Sequence, residues 1–270
     1  MDGSPASAWR LFIDEWILKH IKKCTEDEAH RHIPENKWVV TLEEVDAFIA
    51  ILYARGIYCA KGLELDSLWS MDWGPPFFRN TMPRDRFREI MRFLRFDIKS
   101  TRSDRLQTDK FALVSDVWNR FIENCKTNYT PGPNLTVDEQ LFPTKARCRF
   151  IQYMPNKPDK FGIKFWLAAD VDSKYLINGF PYLGKDHQCP PNVPLSEYVV
   201  LRLISPYENK GRNVTTDNFF TTLKLAEALK SKYTSLVGTV KRSRKEIPVS
   251  VKVSKSELHS TTYLLIMTSV

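Results

Sequence analysis

The chain has 270 residues, 43% of them hydrophobic and 12% aromatic, enough to bury the core of one large globular domain or two smaller ones. Forty Lys and Arg against 32 Asp and Glu leave a net charge of +8, which favours a polyanionic partner without naming one. The longest apolar stretch, residues 47–54, falls far short of the roughly 20 residues that cross a bilayer, and MDGSPASAW lacks the basic start and apolar core of a secretory signal.

The first 130 residues read as helices separated by loops, with no internal repeat. Residues 9–23 carry Leu11, Trp16, Ile17 and Ile21 near helical spacing. Thr41 opens TLEE, a capping-box pattern, and the helix that follows is expected to be largely buried and to stop at Gly56. Residues 68–80 read as a rigid aromatic loop, because Pro75 and Pro76 exclude regular helix. Residues 82–96 have two faces, with Phe87, Ile90, Met91 and Leu94 inward and Arg84, Arg88, Arg92 and Arg95 outside. From Arg84 to Arg105 eight basic residues stand against four acids, and either salt-bridged arginine or DNA contact accounts for them. A further helix over 109–129 precedes PGPN (131–134), whose composition marks a domain junction.

Strands follow. LTVDEQLF (135–142) sets Leu135, Val137 and Leu141 on one side and Thr136, Asp138 and Gln140 on the other, and residues 162–170 and 174–182 make second and third strands. A helix over 194–204, a fourth strand ending in NVTTD (213–217), a helix over 221–232 and a fifth strand over 233–240 complete an α/β order. The five cysteines are odd in number, widely spaced and without a CxxC pair, so they read as reduced intracellular thiols; with the five histidines they complete no zinc pattern. On residues alone, Asp217 is open to three readings: a helix cap, a strand end or a metal ligand.

Asp138 in TVDEQLF (136–142), Asp217 in NVTTDNFF (213–220) and the text from Ala146 to Gly184 together closely resemble the catalytic core of piggyBac-type transposases. WSMDWGPPFFRNTMPRDRFREIMRFLRFD (69–97) resembles the helical region that precedes that core, a region implied to serve dimerisation and DNA binding. The resemblance implies an RNase H-like mixed sheet behind a helical N-terminal region, with the first and fourth strands side by side. It makes Asp138 and Asp217 two of three catalytic aspartates that hold Mg²⁺ or Mn²⁺; zinc is not expected. Asp170, Asp172, Glu139 and Asn218 are polar neighbours to which no role is given. The implied chemistry excises an element by hydrolysing one strand at each end, forms a hairpin and joins the freed end to a TTAA target.

The expected organisation is a helical dimerisation and DNA-binding region over 1–131, the first part of the core over 132–245, and the start of an insertion over 246–270. The third aspartate is implied to lie beyond that insertion, so the core is expected to be C-terminally incomplete. The leading expectation is a transposase-derived DNA-binding protein without independent transposition. Its rivals are an active metal-dependent transposase or nuclease and a non-catalytic protein-interaction module. Partners are DNA, in the form of transposon ends and the TTAA target, and a second copy of the chain, with no membrane. From Leu141 to Trp166 the basic residues Lys145, Arg147, Arg149, Lys157, Lys160 and Lys164 face one acid and are interleaved with Phe150, Tyr153, Phe161 and Phe165. Lys241, Arg242, Arg244 and Lys245 form a second cationic stretch suited to DNA contact or nuclear import, and the expected location is the nucleus.

Overall fold

Caps and breakers cut the first 130 residues into eight short helices among the residues that the computed structural model describes, namely 3–33, 37–184 and 189–253. They are α1 (Pro5–Arg10), α2 (Glu15–Ala29), α3 (Leu42–Ile57), α4 (Leu65–Trp69), α5 (Pro76–Thr81), α6 (Arg84–Phe93), α7 (Arg102–Thr108) and α8 (Ser115–Thr127). Their apolar faces form one core, in which Phe87 meets Phe48 at 5.0 Å and Trp69 at 5.2 Å between ring centroids.

Several helix boundaries depart from the sequence reading for local reasons. The single helix over 9–23 is two, because the Asp14 side chain accepts from the Ile17 amide (3.0 Å) and caps a new start. Trp16 then lies outward, 46% exposed and stacked on His20. The capping box at Thr41 is present in both directions: the Glu44 amide donates to Thr41 Oγ1 (3.2 Å) and the Thr41 amide to Glu44 Oε2 (2.9 Å). The helix it opens buries only a stripe, Val45, Phe48, Ile51 and Ala54, and runs one residue past Gly56. Pro76 starts α5 rather than preventing it, since a proline in the first turn lacks an amide that would need no partner there. In α6 the buried face is Phe87, Ile90 and Phe93, while Met91 is 40% exposed and Leu94 half-buried. At about 100° per residue, positions three apart lie about 60° from each other and Met91 turns about 100° away from Ile90.

The remaining elements are β1 (Asn134–Pro143), β2 (Gln152–Tyr153), β3 (Phe161–Asp170), β4 (Leu176–Pro181), α9 (Leu195–Ile204), β5 (Asn213–Thr216), α10 (Leu223–Lys230), β6 (Ser235–Gly238) and α11 (Val249–Val253). One mixed sheet runs β2-β3-β1-β5-β6, with β4 also on β3. Setting aside the two-residue β2, which the sequence reading did not contain, the five expected strands lie in the spatial order third, second, first, fourth, fifth. β1, β5 and β6 are mutually parallel, and parallel neighbours need crossovers, which α9 and α10 provide. This is the RNase H-like mixed sheet that the resemblance implied, behind a helical N-terminal region. Gly238 is required for the β5–β6 pairing, since a Cβ there would collide with the Thr216 carbonyl and the Thr221 hydroxyl.

Two compact units make up the chain. One holds residues up to Thr130 with Leu141–Phe165 and the stretch from Leu176; the other holds Pro131–Gln140, Trp166–Tyr175 and the described residues from Cys189 on. In the second unit, two buried charges fix the entry to β1. Asp170, 1% exposed, accepts from the amides of Gly132 (2.7 Å), Asp172 (2.9 Å) and Ser173 (2.9 Å). Those amides, Ser173 foremost, hold its carboxyl down to about 2 against the opposing effect of burial. Arg212 donates to the carbonyls of Pro131 (3.0 Å), Gly132 (3.1 Å) and Tyr207 (3.2 Å). Anchored at its start, β1 has one register against β5.

Candidate metal centre and nucleic-acid interface

Along β1, Leu135 and Val137 are buried and Asp138 is exposed, as the period of two requires. The ladder with β5 pairs Asn134 with Asn213, Leu135 with Val214, Thr136 with Thr215 and Val137 with Thr216. Asp138 and Asp217 are each the next residue after that last pair. Asp138, within β1, and Asp217, just past the end of β5, therefore lie at the same level of two adjacent parallel strands, whose spacing is about 4.8 Å.

Each carboxylate is held by one oxygen. The Glu139 amide donates to Asp138 Oδ1 (2.7 Å), and the Phe219 amide to Asp217 Oδ1 (2.9 Å). Among the described residues no side chain pairs with the second oxygen of either, and both residues are exposed. The loop after Asp217 is rigid: Thr221 donates through its amide (3.1 Å) and hydroxyl (2.7 Å) to the Asp217 carbonyl, and its hydroxyl meets that of Thr216 (2.8 Å). Phe220 is buried beneath, and Trp166 stacks on Phe219 at 5.8 Å. Helix capping, one reading left open for Asp217, belongs to Thr222, whose hydroxyl accepts from the Leu225 amide (3.0 Å).

Such a donor set suits a hard cation, because it offers carboxylate oxygen that no arginine or lysine among the described residues neutralises. Among the described residues no group of three or more His, Cys, Asp or Glu side chains comes together to hold a metal ion. Asp170 is spent on backbone amides at the opposite end of β1, where the Val171 amide donates to the Asn134 carbonyl (3.0 Å). Asn218 contributes its carbonyl to Arg244 (3.4 Å), which also reaches the Phe219 carbonyl (3.2 Å). Arg244 is thus the one member of the 241–245 cluster that the described contacts bring onto the Asp217 loop. Lys241 and Lys245 are exposed, and Arg242 donates to the Val251 carbonyl (3.3 Å).

The other basic residues belong to the first unit. Lys145, Arg147, Arg149 and Lys160 are exposed and have no carboxylate partner among the described residues, whereas Lys157 is half-buried and Lys164 lies over the Tyr182 ring at 4.7 Å. Of the interleaved aromatics, Phe165 is buried against Trp118 and Phe150 meets Phe111 edge-on, while Tyr153 and Phe161 stay exposed. Sequence reasoning missed the anchors Asp170 and Arg212, for which the signal was slight: one acid ending a strand and one arginine starting another.

The family model described as Transposase IS4 matches residues 4–265. Over 250 residues the chain is 25% identical to PiggyBac transposable element-derived protein 3 of Homo sapiens, covering 88% of this chain and 40% of that protein. Over 255 residues it is 23% identical to PiggyBac transposable element-derived protein 2 of Homo sapiens, covering 90% and 41%. The cryo-EM structure of the piggyBac transposase synaptic complex with hairpin DNA matches with a TM-score of 0.88 and 37% identity, over 94% of this chain and 54% of that chain. The chain spans about two fifths of the length of the two human relatives. Matched by the family model over nearly all its residues and by a solved piggyBac transposase in fold, this chain belongs to the piggyBac-type transposase family.

Proposed function

We propose that this chain binds DNA and that Asp138 and Asp217 together hold a divalent cation, Mg²⁺ or Mn²⁺, where the pairing of β1 with β5 ends. The observation that carries the reading is the parallel register that stops at Val137 and Thr216, one residue before both aspartates. Two carboxylates on adjacent strands, each with an oxygen to spare, are the ligand type such cations take. When bound, the cation would stabilise negative charge on a phosphate oxygen. Lys145, Arg147, Arg149, Lys157, Lys160 and Lys164, with Lys241, Arg242, Arg244 and Lys245, are proposed to contact the DNA backbone. DNA as partner is supported by the hairpin DNA in the similar piggyBac complex. Transposon ends and TTAA as its sequences, a homodimer as its assembly and the nucleus as its location belong to the same proposal.

For the 270-residue chain, whose described site offers the two carboxylates of Asp138 and Asp217, we propose DNA binding without cleavage. A gel assay on duplexes carrying TTAA and candidate element ends, with Mn²⁺ or EDTA, tests this beside Asp138→Asn. Retarded, uncut DNA whose affinity falls steeply with salt is the expected result. Metal-dependent nicking lost in the variant would replace this reading with that of an active nuclease. Binding indifferent to salt, or absent, would replace it with that of a protein-interaction module. Independently of activity, Mn²⁺ titration followed by electron paramagnetic resonance should show weaker binding in Asp138→Asn and in Asp217→Asn.

A further inference from the structure

We infer that Tyr153 and Phe161, on the β2–β3 hairpin, form a stacking platform for an unpaired DNA base. The inference rests on the DNA-binding reading above and adds to it the form of DNA that this surface takes. Tyr153 and Phe161 are direct partners in the antiparallel ladder, so their side chains share one face. Their ring centroids lie 4.8 Å apart, and the residues are 57% and 58% exposed. Packing does not account for them as it does for the neighbouring aromatics. Phe165, on the same strand, is 6% exposed and packed edge-on or tilted among Trp118, Phe142 and Phe111.

The platform is held in place by the backbone. The Met154 amide donates to the Lys160 carbonyl (2.8 Å), and the Thr144 amide to the Phe161 carbonyl (3.4 Å). Gly162 sits against the Phe142 carbonyl so closely that no Cβ would fit. The Thr144 bond also starts the segment carrying Lys145, Arg147 and Arg149 beside Phe161, and Lys160 is its chain neighbour on the other side. These four cations have no carboxylate partner among the described residues, and the single acid of the stretch, Asp159, is paired with Lys61 (3.8 Å).

Charge complementarity therefore selects a polyanion for this face over a neutral apolar partner. Two exposed rings, tilted 38° to one another, with cations on the adjoining segments match a nucleotide, the cations taking phosphate and a ring taking the base. In an intact duplex both faces of every internal base are already stacked, so the occupant is an unpaired base, as in a hairpin loop, an overhang or a flipped nucleotide.

The test is a fluorescence titration of the 270-residue chain with two DNAs of matched sequence, a hairpin bearing 2-aminopurine in its loop and a fully paired duplex. The native chain should bind the hairpin about ten-fold more tightly than the duplex and quench the 2-aminopurine. The Tyr153→Ala/Phe161→Ala double variant should keep its duplex affinity, which also reports that it is folded, and lose both the preference and the quenching. Tyr153→Trp should retain both. Equal affinity of the native chain for the two DNAs, or a preference that survives the double alanine variant, would overturn the platform and leave DNA binding standing. Failure of the native chain to bind either DNA would overturn both readings.

Discussion

Between Arg84 and Arg105 the chain carries eight basic residues against four acids, and between Leu141 and Trp166 six against one. In the helices the positive charge is largely consumed internally. Arg84 pairs with Asp66 and Asp85, Arg86 with Glu44 and Glu89, Arg95 and Lys99 with Glu28, Arg102 with Asp97 and Arg105 with Asp116. Arg86 lies in addition over the Trp38 ring at 4.7 Å. Glu28 and Asp97 are nearly fully buried; burial alone would raise the Glu28 carboxyl, and Arg95 with its fellow cations holds it below the ordinary value instead. In the hairpin stretch four cations face solvent without a carboxylate partner among the described residues. Charge density in the sequence thus says little about charge available to a ligand, because pairing with distant acids decides it. Of the four helical arginines expected to point outward, Arg84 and Arg95 are paired, while Arg88 and Arg92 remain exposed without a carboxylate partner among the described residues.

Substitutions can break this contrast at graded cost. Phe87→Ala, which empties the helical core between Phe48 and Trp69, should cost about 3–5 kcal/mol in denaturant unfolding. Arg102→Ala should cost about 3 kcal/mol, since Asp97, 2% exposed and held by two bonds of 2.8 Å, would be left buried and unpaired. If arginines of this helical stretch were DNA contacts instead, Arg102→Ala would lower the salt dependence of DNA binding; an unchanged slope with lost stability is expected.

Asp170 supplies a pH signature for the second unit. Its folded carboxyl is depressed to about 2, below the ordinary value near 4, so its contribution is present above about pH 4 and is lost as pH falls toward 2. Asp170→Asn should flatten the acid limb of the stability curve measured by thermal melts between pH 2 and 5. Thr41→Ala, which removes one half of the capping box, should cost about 1 kcal/mol. Smallest in stability is Lys145→Ala/Arg147→Ala, within about 0.5 kcal/mol of the native chain. The same pair should lower the slope of log affinity against log salt by about 1.8 if both contact duplex phosphates. An unchanged slope would remove the hairpin cations from the DNA interface.

What the sequence determined by itself was local or periodic. The capping box at Thr41, the alternation of Leu135, Val137 and Asp138, and the order of strands and helices need only neighbours a few residues apart, and family resemblance supplied the adjacency of the first and fourth strands and the pair of aspartates they carry. Where the structure departs from the expected elements, a short-range competitor wins: Asp14 caps a new helix, Pro76 fits a first turn, and the stripe in α6 centres on Ile90 rather than spreading to Met91. Tertiary structure alone decided three things. It set the β1–β5 register, where Asp170 holds the Gly132 amide from 38 positions away and Arg212 holds the Gly132 and Pro131 carbonyls from 80 and 81 positions away. It divided the cations into those that are neutralised and those that are not. It left Tyr153 and Phe161 in solvent while burying Phe165. Each depends on contacts between residues far apart in the chain, which periodicity and composition do not encode, because both describe a segment's own preferences and not the partner that will meet it.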